Sequence, residues 1–180
     1  MEVRYFDLEG PVEVIPEIYK DERGIFLESF RAEVFSKIGI TKPFIQDNHS
    51  FSKKNVLRGI HFQLKPHEQA KLVRVGMGKA YDVAVDLRPG SESFGKHVSL
   101  ILDSEKQNML YIPEGFGHGF VALEDCILQY KCTAYYHPAS DTGIRWNDQE
   151  LNINWPLKDP VLSKKDSNLP SLKSFIEHNI

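Results

Sequence analysis

The chain has 180 residues, a length that suits one compact unit with a sizeable core and leaves no room for a second enzyme domain. Lys plus Arg total 22 against 25 Asp plus Glu, a formal charge of -3 that gives no general attraction to nucleic acid or to an anionic membrane. Hydrophobic residues at 41% and charged residues at 26% are globular values that exclude disordered and fibrous classes, and 12 Gly and 10 Pro favour short strands and turns.

The opening Met1-Glu2-Val3-Arg4 carries an acid where a secretory signal has a basic region, and no run approaches the ~18 apolar residues of a membrane span, so a cytoplasmic protein is expected. From residue 12 to 136 short β-branched and aromatic runs alternate with Gly, Pro, Asn and Asp. This spacing predicts strands near 12–15, 25–30, 43–51, 56–64, 70–75, 79–87, 96–102, 108–112, 118–123 and 126–136. Turns are predicted at Asp21-Glu22-Arg23-Gly24, Gly76-Met77-Gly78, Arg88-Pro89-Gly90, Pro113-Glu114-Gly115 and Glu124-Asp125. Helical spacing is confined to 31–38, through Val34, Phe35 and Ile38, and to the tail after Pro170, through Leu172, Phe175 and Ile176. The expectation is an all-β barrel or jelly roll with short peripheral helices, one domain over residues 1–180. Cys126 and Cys132 fall in one strand, about 20 Å apart at ~3.3 Å per residue, so no disulfide joins them and both are expected as reduced thiols.

Two segments carry the chemistry. In Val56-Leu57-Arg58-Gly59-Ile60-His61-Phe62-Gln63, period-two alternation puts His61 and Gln63 on one strand face. In Tyr111-Ile112-Pro113-Glu114-Gly115-Phe116-Gly117-His118, a turn of the form P-x-G-x-x-H launches His118 into a strand. Together they resemble the two motifs of the cupin superfamily, a double-sheet barrel with its site in the mouth. A metal-binding cupin presents H-x-H followed by Glu. Here the register reads His61-x-Gln63 and then Glu68, and an amide is a weak ligand, which favours a site without metal. Taken singly, His61 and His118 also fit satisfied structural histidines.

Further blocks narrow the resemblance: Asp21-Glu22-Arg23-Gly24-Ile25-Phe26-Leu27-Glu28, Gln46-Asp47-Asn48-His49-Ser50, Lys71-Leu72-Val73-Arg74, Tyr130-Lys131, Gly143-Ile144-Arg145-Trp146 and Ser163-Lys164-Lys165-Asp166. In this order, from about residue 20 to 166, they resemble the dTDP-4-dehydrorhamnose 3,5-epimerase family. The resemblance implies a cofactor-independent isomerase of dTDP-L-rhamnose biosynthesis that inverts C3 and C5 of a dTDP-linked 4-keto-6-deoxyhexose, both α to the C4 ketone. It assigns His61 as base, Asp166 as the carboxylate that orients it, Lys71 as the cation at the C4 oxygen and Tyr130 as the acid on the opposite ring face. In the family pattern Gly most often stands where this chain has Ala70. Arg23, Arg58, Lys165 and His118 correspond to pyrophosphate contacts, and Phe26, Glu28, Gln46 and Asn48 to base and sugar contacts. Tyr135 matches a second tyrosine, although its odd offset from Tyr130 puts it on the other strand face unless a bulge intervenes, and Asp141 matches an acidic position. Part of this set comes from a neighbouring subunit in the family, which implies a homodimer with exchanged N-terminal strands.

Each of these residues has an ordinary alternative. Ser163-Lys164-Lys165-Asp166 has the S-x-x-D form that caps a helix start, a strand lysine is usually solvated, and a buried tyrosine usually just satisfies a hydrogen bond. The rival functions are a mono-epimerase of a related deoxysugar pathway, a metal-dependent cupin oxygenase, and a catalytically dead sugar-nucleotide binding module.

Overall fold

A computed structural model describes residues 1–179. Thirteen strands run β1 (Glu2–Tyr5), β2 (Val12–Ile15), β3 (Ile18–Asp21), β4 (Gly24–Leu27), β5 (Gln46–Ser52), β6 (Leu57–Gln63), β7 (Lys71–Met77), β8 (Lys79–Asp86), β9 (His97–Asp103), β10 (Met109–Ile112), β11 (Phe116–Ala122), β12 (Cys126–Cys132) and β13 (Asp141–Gly143). Two short helices, α1 (Ala32–Ser36) and α2 (Leu172–Asn179), sit outside them, with a 3-10 turn at Asp166–Asn168. A six-stranded sheet in the order β1-β2-β10-β7-β12-β5 faces a five-stranded sheet in the order β13-β6-β11-β8-β9, and β3 and β4 form a separate hairpin. The fold is the expected all-β jelly roll with peripheral helices. Among the described residues, no helix is long and apolar enough to cross a membrane.

Alternation explains the packing. Along β8, Ala80 and Ala84 face the space between the sheets, where they meet Val73, Val75, Leu110, Leu128 and Phe120. Val83 and Val85 face outward and are covered by the C-terminal segment through Ile144, Leu151, Trp155, Leu172 and Phe175. Both faces of this strand are therefore dry, which is why it reads as a nearly continuous apolar run. The outer face of the six-stranded sheet, at Val12, Val14, Leu72 and Met109, is covered by Phe35 of α1 and by Ile40. Each such fully buried Leu, Ile, Val or Phe contributes about 1.5–3 kcal/mol.

Several boundaries differ from the sequence reading. The strand expected over 126–136 stops at Cys132, and the one expected over 25–30 stops at Leu27. Three strands were not foreseen: β1, whose residues are largely exposed, β3, likewise exposed, and the three-residue β13. β1 and β3 display no buried face for alternation to reveal, and β13 is too short to show one. Cys126 and Cys132 are both free and buried, in one strand as expected.

Candidate active site

The mouth of the barrel holds a pocket of about 550 Å³ between the two sheets. Its geometry starts with an irregularity in β6. His61 pairs with His118 and Arg58 with Phe120, so three steps along β6 span two along β11. This bulge lets Arg58 and His61, at an odd offset, line the same pocket. Gly59 makes it possible. Its φ is +122°, and a Cβ there would lie 2.4 Å from the Gly119 Cα and 2.7 Å from the His118 carbonyl oxygen.

His61 is hydrogen-bonded through Nε2 to Asp166 Oδ1 in a short contact. The other Asp166 oxygen accepts the Ser163 hydroxyl at 2.9 Å, while the Asp166 backbone N–H donates to Ser163 Oγ at 3.0 Å. The carboxylate is thus shared by the His61 ring and the Ser163 hydroxyl, and it caps no helix start: the 3-10 turn at Asp166–Asn168 has no side-chain cap bond. Burial pushes the Asp166 carboxyl up, but the hydrogen bond and charge of His61, with Ser163 and Lys165, hold it below the ordinary value. Nδ1 is thus the His61 nitrogen left for the pocket.

The facing wall comes from the six-stranded sheet. Lys71 on β7 and Tyr130 on β12 line the pocket, with the Lys71 ammonium 5.9 Å from the centre of the Tyr130 ring. Burial draws the Lys71 pKa below its ordinary value, against the pull of Cys132, Asp82 and Asp141. Burial also raises the Tyr130 phenol, which keeps it protonated at neutral pH. Asn48, level with Tyr130, and Gln46 extend this wall, linked to each other by a 3.2 Å hydrogen bond.

At the rim, Asp141 Oδ2 accepts Lys165 Nζ at 2.5 Å and the Tyr136 hydroxyl at 3.0 Å. Arg58 donates to Ser52 Oγ at 3.0 Å and to the Phe51 carbonyl at 3.1 Å. Gln63 is committed to backbone: its amide donates to the carbonyls of His67 and Tyr135, at 2.5 and 3.2 Å, and accepts the His137 N–H at 2.7 Å. Glu68, the carboxylate a metal-binding pattern would use, lines a different depression. No group of three His, Cys, Asp or Glu among the described residues could hold a metal ion.

The structure does not bring every expected residue together. Tyr135 is 69% exposed and outside the pocket lining, because β12 ends at Cys132 and the strand faces no longer alternate beyond it. Tyr136 lines the pocket instead, held by a 2.8 Å hydrogen bond from its N–H to Gln46 Oε1. Strand alternation does not place it, since β12 ends four residues earlier; its hydrogen bonds to Gln46 and Asp141 do. Arg23, Phe26 and Glu28 also lie outside the pocket. They belong to the β3–β4 hairpin and the segment after it, where Arg23 pairs with Asp21, Glu28 pairs with Arg31 and Phe26 is 71% exposed. His118 is in the pocket lining but beside His61, at the floor. Its partner Asp82, 2.9 Å away and 0% exposed, was not foreseen, though an acid inside the apolar run Ala80-Tyr81-Asp82-Val83-Ala84 was a legible signal.

A jelly-roll barrel with an oriented imidazole on one wall and a phenol and an ammonium on the other defines a cupin-type enzyme of the acid–base class. The family model described as dTDP-4-dehydrorhamnose 3,5-epimerase matches residues 5–174. The dTDP-4-dehydrorhamnose 3,5-epimerase of Escherichia coli is 48% identical over 179 residues, covering 98% of this chain and 97% of its own. A crystal structure of the 3,5-epimerase from Legionella pneumophila in complex with dTDP-4-keto-L-rhamnose superposes with a TM-score of 0.92 at 44% identity, over 96% of this chain and 93% of that one. A 3′-monoepimerase from Streptomyces bikiniensis, solved with dTDP-quinovose, gives 0.91 at 35% identity over 96% and 89% of the two chains. The chain belongs to the dTDP-4-dehydrorhamnose 3,5-epimerase family.

Proposed function

We propose that this protein inverts C3 and C5 of dTDP-4-dehydro-6-deoxy-D-glucose to give dTDP-4-dehydro-L-rhamnose, by enolisation toward the C4 ketone. One arrangement supports the reading above all: the His61–Asp166 pair and the Tyr130–Lys71 pair lie on facing sheets of one pocket. Inversion needs a proton removed from one face of the ring and another delivered to the opposite face. His61 Nδ1 takes the α proton, and Asp166 stabilises the imidazolium so formed. Lys71 stabilises the charge that develops on the C4 oxygen, in a place where little water screens it. The Tyr130 phenol returns a proton from the far side, and exchange with solvent resets both groups before the second inversion.

Arg58 and Lys165 serve the pyrophosphate, and Gln46, Asn48, Tyr136 and Asp141 the nucleoside and sugar. Arg23, Phe26 and Glu28 reach this pocket from a second copy of the chain, in a homodimer that exchanges N-terminal strands. The reaction runs in the cytoplasm, in one domain, and needs neither metal nor nicotinamide.

The test is incubation with dTDP-4-keto-6-deoxyglucose in D2O, with product configuration read by NMR and deuterium by mass spectrometry, in the presence and absence of chelator. Deuterium at both C3 and C5 in a doubly inverted product, unaffected by chelation, is the expected result. Inversion at one carbon alone transfers the protein to the mono-epimerases. No exchange at either carbon overturns the proposal.

A further inference from the structure

A second imidazole–carboxylate pair, which the reaction just described leaves unused, reaches the pocket through its imidazole alone. Asp82 lies on β8, on the face it shares with Ala80 and Ala84, and is 0% exposed. Both of its oxygens are within hydrogen-bond reach of His118 Nε2, at 2.9 and 3.1 Å. A carboxylate in such a place is costly unless something specific pairs with it. Among the described residues, His118 is the one side chain that forms an ion pair with it. His118 in turn stands directly opposite His61 in the β6–β11 pairing, where facing Cβ atoms are about 5 Å apart. Its Nδ1 meets no protein partner among the described residues, and the ring lines the pocket.

We propose that Asp82 is a positioning residue that holds His118 as the Nε2–H tautomer, so that Nδ1 offers a lone pair to a sugar hydroxyl on or next to the carbon that His61 deprotonates. The assignment rests on the function proposed above and sharpens one part of it. A ring nitrogen with a lone pair accepts a hydrogen bond and is repelled by a phosphate oxygen, so His118 reads the hexose and not the pyrophosphate. Burial acts in the same direction, drawing the His118 pKa down and keeping the ring neutral, although Asp82 pulls against it. The carboxylate fixes which nitrogen carries the proton, and through it the hydrogen-bonding sense of the site, as the acid of a catalytic triad does for its histidine.

Two measurements test this. Long-range 1H–15N NMR of the ligand-free protein reads the tautomer directly and does not depend on the substrate being right. The wild type should show His118 protonated at Nε2. In Asp82→Asn an amide N–H can donate to Nε2, so the proton should shift to Nδ1. Kinetics then separate the two ends of the substrate. Asp82→Asn should lower kcat/KM for the dTDP-keto sugar about 10–100-fold, the loss typical when the partner orienting an imidazole is removed. TDP alone should bind as tightly as to wild type. If Asp82→Ala also folds, its loss and that of His118→Ala should not add in the double variant. A wild-type ring protonated at Nδ1, a weakened affinity for TDP, or additive losses would each overturn the proposal. Wild-type protein inactive on the keto sugar but with the Nε2–H tautomer would instead remove the reaction assigned above and leave the positioning role of Asp82 standing.

Discussion

At the residue scale, the chemistry assigned to His61 and Tyr130 separates cleanly, because the two groups belong to different sheets and share no hydrogen bond. His61→Asn keeps a planar polar side chain but cannot take a carbon-bound proton. Both inversion and solvent exchange should fall about 10²–10⁴-fold, the usual contribution of a general base, with the melting transition retained. Tyr130→Phe removes one hydroxyl and keeps the ring. In D2O this variant should still exchange α hydrogens through His61 on the original face while inverted product drops, so deuterium incorporation outruns inversion. Full-rate formation of the doubly inverted sugar by that variant would move the acid role to another group. Asp166 keeps both its oxygens occupied: the imidazole takes one and the Ser163 hydroxyl the other, which fixes the carboxylate against the ring.

At the scale of elements, the site depends on irregular backbone as much as on side chains. Gly59→Ala would place a methyl group against the Gly119 backbone at a φ that side chains rarely adopt. We expect a loss of about 2–3 kcal/mol in urea unfolding, together with a fall in kcat, because the bulge aims His61. The loop after β8 supplies a second, independent prediction. Asp86 is buried and receives Arg88, Ser91 and Ser93. Burial pushes its carboxyl up, but these donors outweigh burial and hold it well below the ordinary range. A carboxyl more acidic when folded stabilises the protein above its unfolded pKa of about 3.9, and that contribution disappears as pH falls through the folded value. Asp86→Asn should therefore be destabilised by about 2 kcal/mol at pH 7, with the gap to wild type closing in acid unfolding below pH ~4. The strands that bury a face, such as β7, β8 and β12, were legible from alternation alone. The exposed β1 and β3 and the three-residue β13 were not. Tyr136 was missed because the second tyrosine came from the family resemblance, which points to Tyr135; the chain turns after Cys132, and Gln63 ties the residues flanking Tyr136 to β6. Sequence motifs identified His61 and His118 on one wall, and the family resemblance supplied Lys71 and Tyr130 on the other. The expectation that Arg23, Phe26 and Glu28 complete the site from a second copy came only through the family resemblance.

At the scale of the whole molecule, the β3–β4 hairpin pairs with neither sheet and leaves Tyr19, Ile25 and Phe26 at 55%, 49% and 71% exposure. If Arg23, Phe26 and Glu28 complete the pocket of a second copy, activity is a property that two chains hold jointly, and two broken chains can mend each other. A protein carrying His61→Asn has a dead pocket but a sound hairpin. One carrying Arg23→Ala has the reverse. Unfolded together and refolded as a mixture, half of the dimers would pair unlike chains, and each of these would assemble one intact site, restoring about a quarter of the wild-type sites from two nearly inactive parents. No recovery on mixing would show that each chain works alone. In a cell expressing two alleles, the same arithmetic makes a hairpin defect and a pocket defect complement each other, while two defects in the pocket do not.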